Sequence, residues 1–328
     1  MLKEVYKNIY LNEITLPDSP LKYLNSYIIK TQDQNLVIDT GFNRPECREA
    51  FLDGLKELGI ELAQTDVLIT HLHSDHCGLV AELKSLGANI LIGEVEEKEL
   101  VALIGGSDVA YGDRFSKRAL MYDLLKYDIN ISQHPGYSYR PKLVKDMQAL
   151  KEGTIIKYGD YSLKVLFVPG HTRGHIALYE EKNKLFFGGD LILDKITPTV
   201  TFWGFEQDIL KVYLDTLAKI MAMEIDVVFT GHRAIVYDCR KRIEELVAHH
   251  VKRLEEIKVI LEKGEQSVSD VAAQMSWDIR ANSWDDFPKT QKWFATGEAM
   301  AHLEHLYCTG LLSKREEAGK LVYGKKIK

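Results

Sequence analysis

The chain has 328 residues, 45% of them hydrophobic and 27% charged, with a formal net charge of −6 at pH 7. That balance excludes a disordered or fibrous chain and suits a globular protein with one large domain and a smaller one. There is no run of about 18 apolar residues, and Met1-Leu2-Lys3-Glu4-Val5-Tyr6 lacks the apolar core of a signal peptide, so the expectation is a cytoplasmic protein without membrane contact. The four cysteines, Cys47, Cys77, Cys239 and Cys308, form no Cys-x-x-Cys pair and suggest neither a disulfide framework nor a thiolate zinc site. From Arg240 onward there are 16 Lys+Arg and 14 Asp+Glu, against 26 and 34 before it. An acidic body is a poor binder of phosphate backbones.

In chain order, Tyr23 to Ile29 and Asn35 to Ile38 read as strands joined by a polar turn, and Asp39-Thr40-Gly41 follows the second. Taken alone, Asp39 is a turn residue. Glu46 to Leu58 carries Phe51, Leu55 and Leu58 on one helical face, with Gly59 as a stop. Asp66 to Thr70 is a short buried strand running into His71-Leu72-His73-Ser74-Asp75-His76-Cys77-Gly78.

That last stretch packs three imidazoles and a carboxylate into six residues. The plain alternative is a capped loop, but burying four such groups without a partner ion is costly, whereas hydrolytic metals bind imidazole nitrogen and carboxylate oxygen. His71 and His73 leave the strand end on one side, and Asp75 and His76 start the next segment. Two pairs suit two ions about 3.5–4 Å apart. Cys77 reads as a small buried neighbour.

Leu79 to Leu86 is a helix and Asn89 to Ile92 a strand, and strand-helix-strand at short spacing gives an α/β class. Glu94 to Leu150 contains helical patterns around Glu96–Leu103 and Arg114–Lys126, then the loop Ser132 to Arg140. There His134, Tyr137, Tyr139 and Arg140 suit either an anionic or polar substrate or an ordinary surface. Tyr161 to Val168 alternates toward Gly170-His171-Thr172-Arg173-Gly174-His175, and Ile176 to Glu180 is the next strand. Lys184 to Phe187 ends in Gly188-Gly189-Asp190. Leu191 to Trp203 is irregular, Glu206 to Met223 an amphipathic helix, and Ile225 to Phe229 a buried strand running into Thr230-Gly231-His232.

From Arg240 a long helix places Ile243, Leu246, Val247, Val251, Leu254, Ile257 and Leu261 on one face. Ser267 caps a short helix to Met275, Glu298 to Tyr307 is a third, and Leu311–Lys314 with Lys320–Ile327 form a two-stranded wing. Three helices and a hairpin resemble a winged helix. Its third helix carries Glu298, His302, Glu304 and His305, a poor surface for reading bases against phosphate. A module packing on the catalytic domain or a neighbouring subunit is the favoured reading.

His-x-His-x-Asp-His at 71–76 resembles the signature of the metallo-β-lactamase fold superfamily, and Asp39-Thr40-Gly41, the Gly170–His175 motif, Asp190 and His232 follow that family's order. The resemblance implies a four-layer αβ/βα sandwich over residues 1–239, with 94–150 as a lid insertion, and a winged-helix-like domain over 240–328. It implies that His71, His73 and His171 hold one divalent ion, that Asp75, His76 and His232 hold a second, and that Asp190 bridges them. Asp39 supports the site from behind, His175 is structural, and the segment 191–203 lines the pocket.

The implied activity is dinuclear metal-dependent hydrolysis. A hydroxide bridging the ions attacks the carbonyl of a small ester, thioester or lactone, with Asp75 or a metal-bound water handling the proton. Zinc is the first expectation for the metal, with iron or manganese as alternatives. His73, where flavodiiron reductases place Glu, favours hydrolysis over redox chemistry. The alternative is a nuclease or nucleic-acid-binding protein anchored by its C-terminal domain. A homodimer is compatible with either reading.

Overall fold

The computed structural model describes residues 2–106, 108–130, 132 and 134–326, apart from the side chains of 108–111. Gln133 of the aromatic loop and Ile327 of the second wing strand lie outside the described residues. The chain opens with β1 (Leu2–Tyr6), β2 (Ile9–Thr15), β3 (Tyr23–Ile29), β4 (Asn35–Ile38), α1 (Pro45–Glu57), β5 (Thr65–Ile69), α2 (Ser74–Cys77), α3 (Val80–Ser85), β6 (Asn89–Gly93), α4 (Glu94–Ile104) and α5 (Asp108–Met121). It continues through α6 (Pro135–Ser138), β7 (Gln148–Leu150), β8 (Ile155–Tyr158), β9 (Tyr161–Phe167), β10 (Ile176–Glu180), β11 (Leu185–Gly189), α7 (Ile209–Met221) and β12 (Val227–Thr230). It ends with α8 (Cys239–Ile260), β13 (Gln266–Ser267), α9 (Val268–Gln274), α10 (Lys289–Cys308), β14 (Leu312–Glu317) and β15 (Lys320–Lys325). Two compact units result, one from residues 1–106, 135–198 and 220–242, the other from 107–134, 199–219 and 243–328. The segments 107–134 and 199–219 thus join the C-terminal residues in the second unit.

The first unit is a sandwich of two sheets. The larger runs β1-β2-β3-β4-β5-β6-β7, antiparallel as far as β4 and parallel from β4 to β7. Strands of a parallel sheet are buried on both faces and lose alternation, and every residue of Asn35–Ile38 is buried. The smaller sheet runs β12-β11-β10-β9-β8, antiparallel except for the β11–β12 pair. Ile9, Tyr27, Leu36, Leu68 and Leu91 from the larger sheet share one core with Leu163, Val165, Leu178, Phe187 and Phe229 from the smaller. Outside the larger sheet, α1 packs on β2, and α3 and α4 on β6.

This topology sets where chemistry can sit. β4 and β5 are parallel; β9 and β11 both pair antiparallel with β10, and β12 is parallel to β11. The C-terminal ends of β9, β11 and β12 therefore share one edge of the smaller sheet, as those of β4 and β5 share one edge of the larger. Hydrogen bonds join the two edges: Ile176 N to Thr70 O at 2.9 Å, Asn25 N to Gly231 O at 2.8 Å, and the Tyr27 hydroxyl to Thr230 O at 3.0 Å.

In the second unit, Phe115, Tyr122, Phe202, Ile257, Val271, Trp293, Met300, Leu303 and Tyr323 belong to a common core, beside a small sheet of order β13-β15-β14. Ser267 caps α9, accepting from Asp270 N at 3.3 Å. The inward stripe of α8 differs from the expected one. It contains Ile243, Leu246, His250, Arg253 and Ile257, at the 3-4-3-4 spacing of a helix face, while Val251 is 49% exposed. The polar members are accommodated by α10: His250 Nδ1 lies 3.0 Å from His302 Nε2, and His302 Nδ1 lies 2.8 Å from the Glu298 carbonyl. Glu298, His302 and Glu304 of α10 are themselves buried.

Candidate metal centre

His71, His73, Asp75, His76, His171, Asp190 and His232 all come together at the joined sheet edges. They form three mutually close groups: His71, His73 and His171; His71, His76 and Asp190; and Asp75, His76 and His232. Within each group the donor atoms lie within 4.8 Å of one another. The loop after β5 and the short α2 supply 71–76, the loop after β9 supplies His171, the end of β11 supplies Asp190, and the end of β12 supplies His232.

Three of the five imidazoles, those of His71, His76 and His232, are oriented by their other nitrogen. The Asp39 carboxylate, acceptor-only when ionised, takes the Thr70 hydroxyl proton and His76 Nδ1–H, both at 2.8 Å. With its single proton committed, Thr70 Oγ1 accepts from His71 Nδ1 at 3.0 Å. His232 Nδ1–H donates to the Tyr23 carbonyl at 2.9 Å. The Nε2 atoms of His71, His76 and His232 are thereby left facing the centre, the arrangement in which outer partners fix the orientation of a metal-binding histidine. Asp39 holds a left-handed backbone, φ +63°, and its Oδ1 accepts from Thr70 N at 2.8 Å. A strained backbone at a site is retained when its surroundings over-determine it.

The nitrogens are too crowded for protons to serve them all. His73 Nδ1 is 3.1 Å from His71 Nε2 and 2.9 Å from His171 Nε2, so one proton cannot bridge all three, whereas a cation at their centre meets three lone pairs at once. In the other half, His76 Nε2, His232 Nε2 and Asp190 Oδ1 are buried without a hydrogen-bond partner. Orphaned buried polar atoms are rare and call for a ligand. Asp190 faces both halves. Its Oδ1 is 3.5 Å from His76 Nε2, while Oδ2 is 3.8 Å from His171 Nε2 and 3.5 Å from His232 Nε2. Asp75 Oδ2 lies 3.4 Å from His232 Nε2. The donor set thus fits divalent ions of the hydrolytic kind.

Charge divides the centre. Burial, then the neighbouring His171 imidazole, drives His73 down to about 3. Burial, then His76, drives His71 well below its ordinary value. Both are neutral at physiological pH. Burial also works against His76, but Asp190, Asp39 and Asp75 hold it well above the ordinary imidazole value. The same carboxylates favour any cation seated there. Although burial opposes it, Asp75 is held at about 2 by His76 and His232. Glycine keeps the centre open: a Cβ at Gly231 would lie 2.3 Å from Asp190 Oδ1 and 2.9 Å from His76 Cε1.

The neighbours sort themselves. The Cys77 thiol donates to the Leu72 carbonyl at 3.2 Å, and burial pushes it well above the usual thiol range. His175 Nε2 accepts from Asp190 N at 3.1 Å, and its ring stacks on His71 at 4.8 Å. Of the aromatic loop, His134 belongs to the second unit, its ring against Trp293 and Phe294. Tyr137, Tyr139 and Arg140 belong to the first, with Tyr139 against Phe42 and Arg140 over the Tyr137 ring. One residue has no precursor in the sequence reading. Glu96, buried in the first turn of α4, accepts from Leu72 N at 2.8 Å, Thr172 Oγ1 at 2.6 Å and Gly174 N at 3.0 Å. Burial pushes it up to about 7 against those donors. Its only advance signal is an acidic residue in the first turn of a helix that follows a strand.

The family model of the metallo-beta-lactamase superfamily matches residues 21–232, and the chain belongs to that superfamily. A second model, the metallo-beta-lactamase-like C-terminal domain, matches 285–326. The Beta-lactamase-like protein 2 homolog of Caenorhabditis elegans is 24% identical over 270 residues, 79% of this chain and 74% of that protein. Acyl-coenzyme A thioesterase MBLAC2 of Homo sapiens is 28% identical over 179 residues, 52% of this chain. The matched region spans 58% of that thioesterase's length. Among solved structures, a metallo-beta-lactamase family protein from Thermus thermophilus superimposes with a TM-score of 0.83 at 25% identity, over 98% of this chain and 100% of that one. Family and relatives identify a metal-dependent hydrolase. Among the described residues, no helix is long and apolar enough to cross a membrane.

Proposed function

We propose that the chain hydrolyses a small carbonyl substrate, a thioester first and an ester or lactone next, at a centre of two divalent ions. The observation that carries the reading is the convergence of three imidazole nitrogens within 3.1 Å contacts beside two orphaned imidazole nitrogens and one orphaned carboxylate oxygen. His71, His73 and His171 would hold one ion, Asp75, His76 and His232 the other, and Asp190 both, since its Oδ2 lies 3.8 Å from His171 Nε2 and 3.5 Å from His232 Nε2. Zinc suits the donors, and iron or manganese are the alternatives. Such ions supply Lewis acidity toward a carbonyl oxygen and make water acidic near neutral pH. The preference for a thioester follows from the human acyl-coenzyme A thioesterase relative.

The residues of this chain orient and charge the site. Asp75, less buried than its neighbours and ionised at all working pH values, accepts a hydrogen bond from an incoming water and aligns it. Asp190 counters the charge of both halves. Asp39 and Thr70 fix which nitrogen of His71 and His76 faces the centre. No serine or cysteine nucleophile is required, and the Cys77 thiol is the wrong species for one. The second unit, with helices α8, α9 and α10 ahead of the β14–β15 hairpin, reads as winged-helix-like. Because Glu298, His302 and Glu304 of α10 are buried, that helix serves packing rather than base reading.

The test is a panel of an acyl-coenzyme A, a lactone, a carboxylic ester and RNA, run on protein of measured metal content with His71→Ala as control. Thioester turnover that disappears in the variant supports the reading. Equal turnover in the variant, or cleavage of RNA alone, overturns it.

A further inference from the structure

We propose that Glu96 is a positioning residue that sets the distance between the two loops carrying His71, His73 and His171. The inference rests on the two-ion reading above. Leu72 lies between His71 and His73, while Thr172 follows His171, and the two loops leave different sheets. One carboxylate grips both: Oε1 takes Leu72 N–H at 2.8 Å and the Thr172 hydroxyl at 2.6 Å, and Oε2 takes Gly174 N–H at 3.0 Å. The approach is tight enough to require glycine at 174, where a Cβ would lie 2.5 Å from Glu96 N and 2.7 Å from its Oε2. Glu96 itself is fully buried and rooted in α4, which packs on β6 and β7. The clamp is therefore held by the sheet rather than by solvent-exposed loop.

The chemistry of the grip is specific to a carboxylate. All three partners donate, and a carboxyl group presents two oxygens to them where an amide presents one. Glutamine keeps one oxygen, but its amide N–H would face the Gly174 N–H, replacing a hydrogen bond by a repulsion. A ligand group must be held to within about 0.5 Å for full effect, and loss of outer partners lowers metal affinity by about 10–100-fold. Because Glu96 touches the 71–73 and 172–174 loops and neither Asp75 nor His232 in its hydrogen bonds, the loss should fall on one ion of the two.

Chelator-stripped wild type, Glu96→Gln and Thr172→Val proteins are titrated with Co²⁺, followed by its visible absorption and by circular dichroism of the fold. In Glu96→Gln we expect one class of Co²⁺ to weaken by about 10–100-fold with shifted bands, while the other class keeps its affinity. Thr172→Val, which removes one of the three donors, weakens the same class less. It decides alone if Glu96→Gln does not fold. Titrations identical to wild type, or equal weakening of both classes, overturn the positioning role. A wild type that takes up no Co²⁺ overturns instead the metal-centre reading beneath it.

Discussion

At the scale of single residues, the centre depends on which ring nitrogen is free. Asp39→Asn keeps the volume but replaces an acceptor by an amide that donates toward His76 Nδ1, so His76 must turn or change tautomer. We expect metal affinity to fall about 10–100-fold, read by chelator competition; an unchanged affinity contradicts the tautomer argument. Gly231→Ala acts by volume. With Cβ 2.3 Å from Asp190 Oδ1, the carboxylate must swing away, and hydrolysis should drop at least about 100-fold while the far-ultraviolet spectrum is kept. Wild-type turnover in that variant would show that Asp190 has no role. The seven metal-binding candidates were legible in the sequence because their identities are unusual for strand ends. Glu96 was not, since an acidic residue in the first turn of a helix ordinarily complements the helix dipole. Its partners lie 24, 76 and 78 positions away.

At the scale of elements, α8 and α10 bury a polar set with its own pH signature. Burial drives His250 to about 3 and His302 to about 4, so both are neutral in the fold and take up protons when unfolded below about pH 6.5. Burial opposes ionisation of Glu298, but His249, His302 and Arg253 hold it at about 2. A depressed histidine contributes stability above its unfolded pKa that is lost as pH falls. A depressed carboxylate does the same below about 4.5. All three therefore destabilise the second unit on acidification, each histidine by up to on the order of 2–3 kcal/mol. Urea midpoints measured between pH 7 and 4.5 should fall, and fall less steeply in His250→Leu. Equal slopes would contradict this. The same polar residues explain why the buried face of α8 was misread: a stripe with His and Arg inside it does not look apolar. The β1–β2 hairpin was overlooked because β1 is half exposed and carries no clean alternation.

At the scale of the whole chain, the order of the landmarks along the sequence foretold the sandwich, because each motif closes a strand and parallel strands deliver their ends to one edge. The division into units was less legible. Segments 107–134 and 199–219 bury Phe115, Tyr122 and Phe202 in the core of the second unit, a partnership between distant stretches that periodicity does not reveal. Ions bound to the folded chain alone add RT ln(1 + [L]/Kd) to its stability, about 4 kcal/mol at a thousandfold excess over Kd. Chelation should therefore lower the thermal midpoint and leave the His71→Ala protein, already weak in metal, less affected. A calorimetric titration of chelator-stripped protein with Zn²⁺, with acyl-coenzyme A hydrolysis followed at each point, tests the central claim most directly. The account predicts saturation at two ions per chain, with hydrolysis rising alongside. Full hydrolysis by the stripped protein, or no uptake of Zn²⁺, would contradict it.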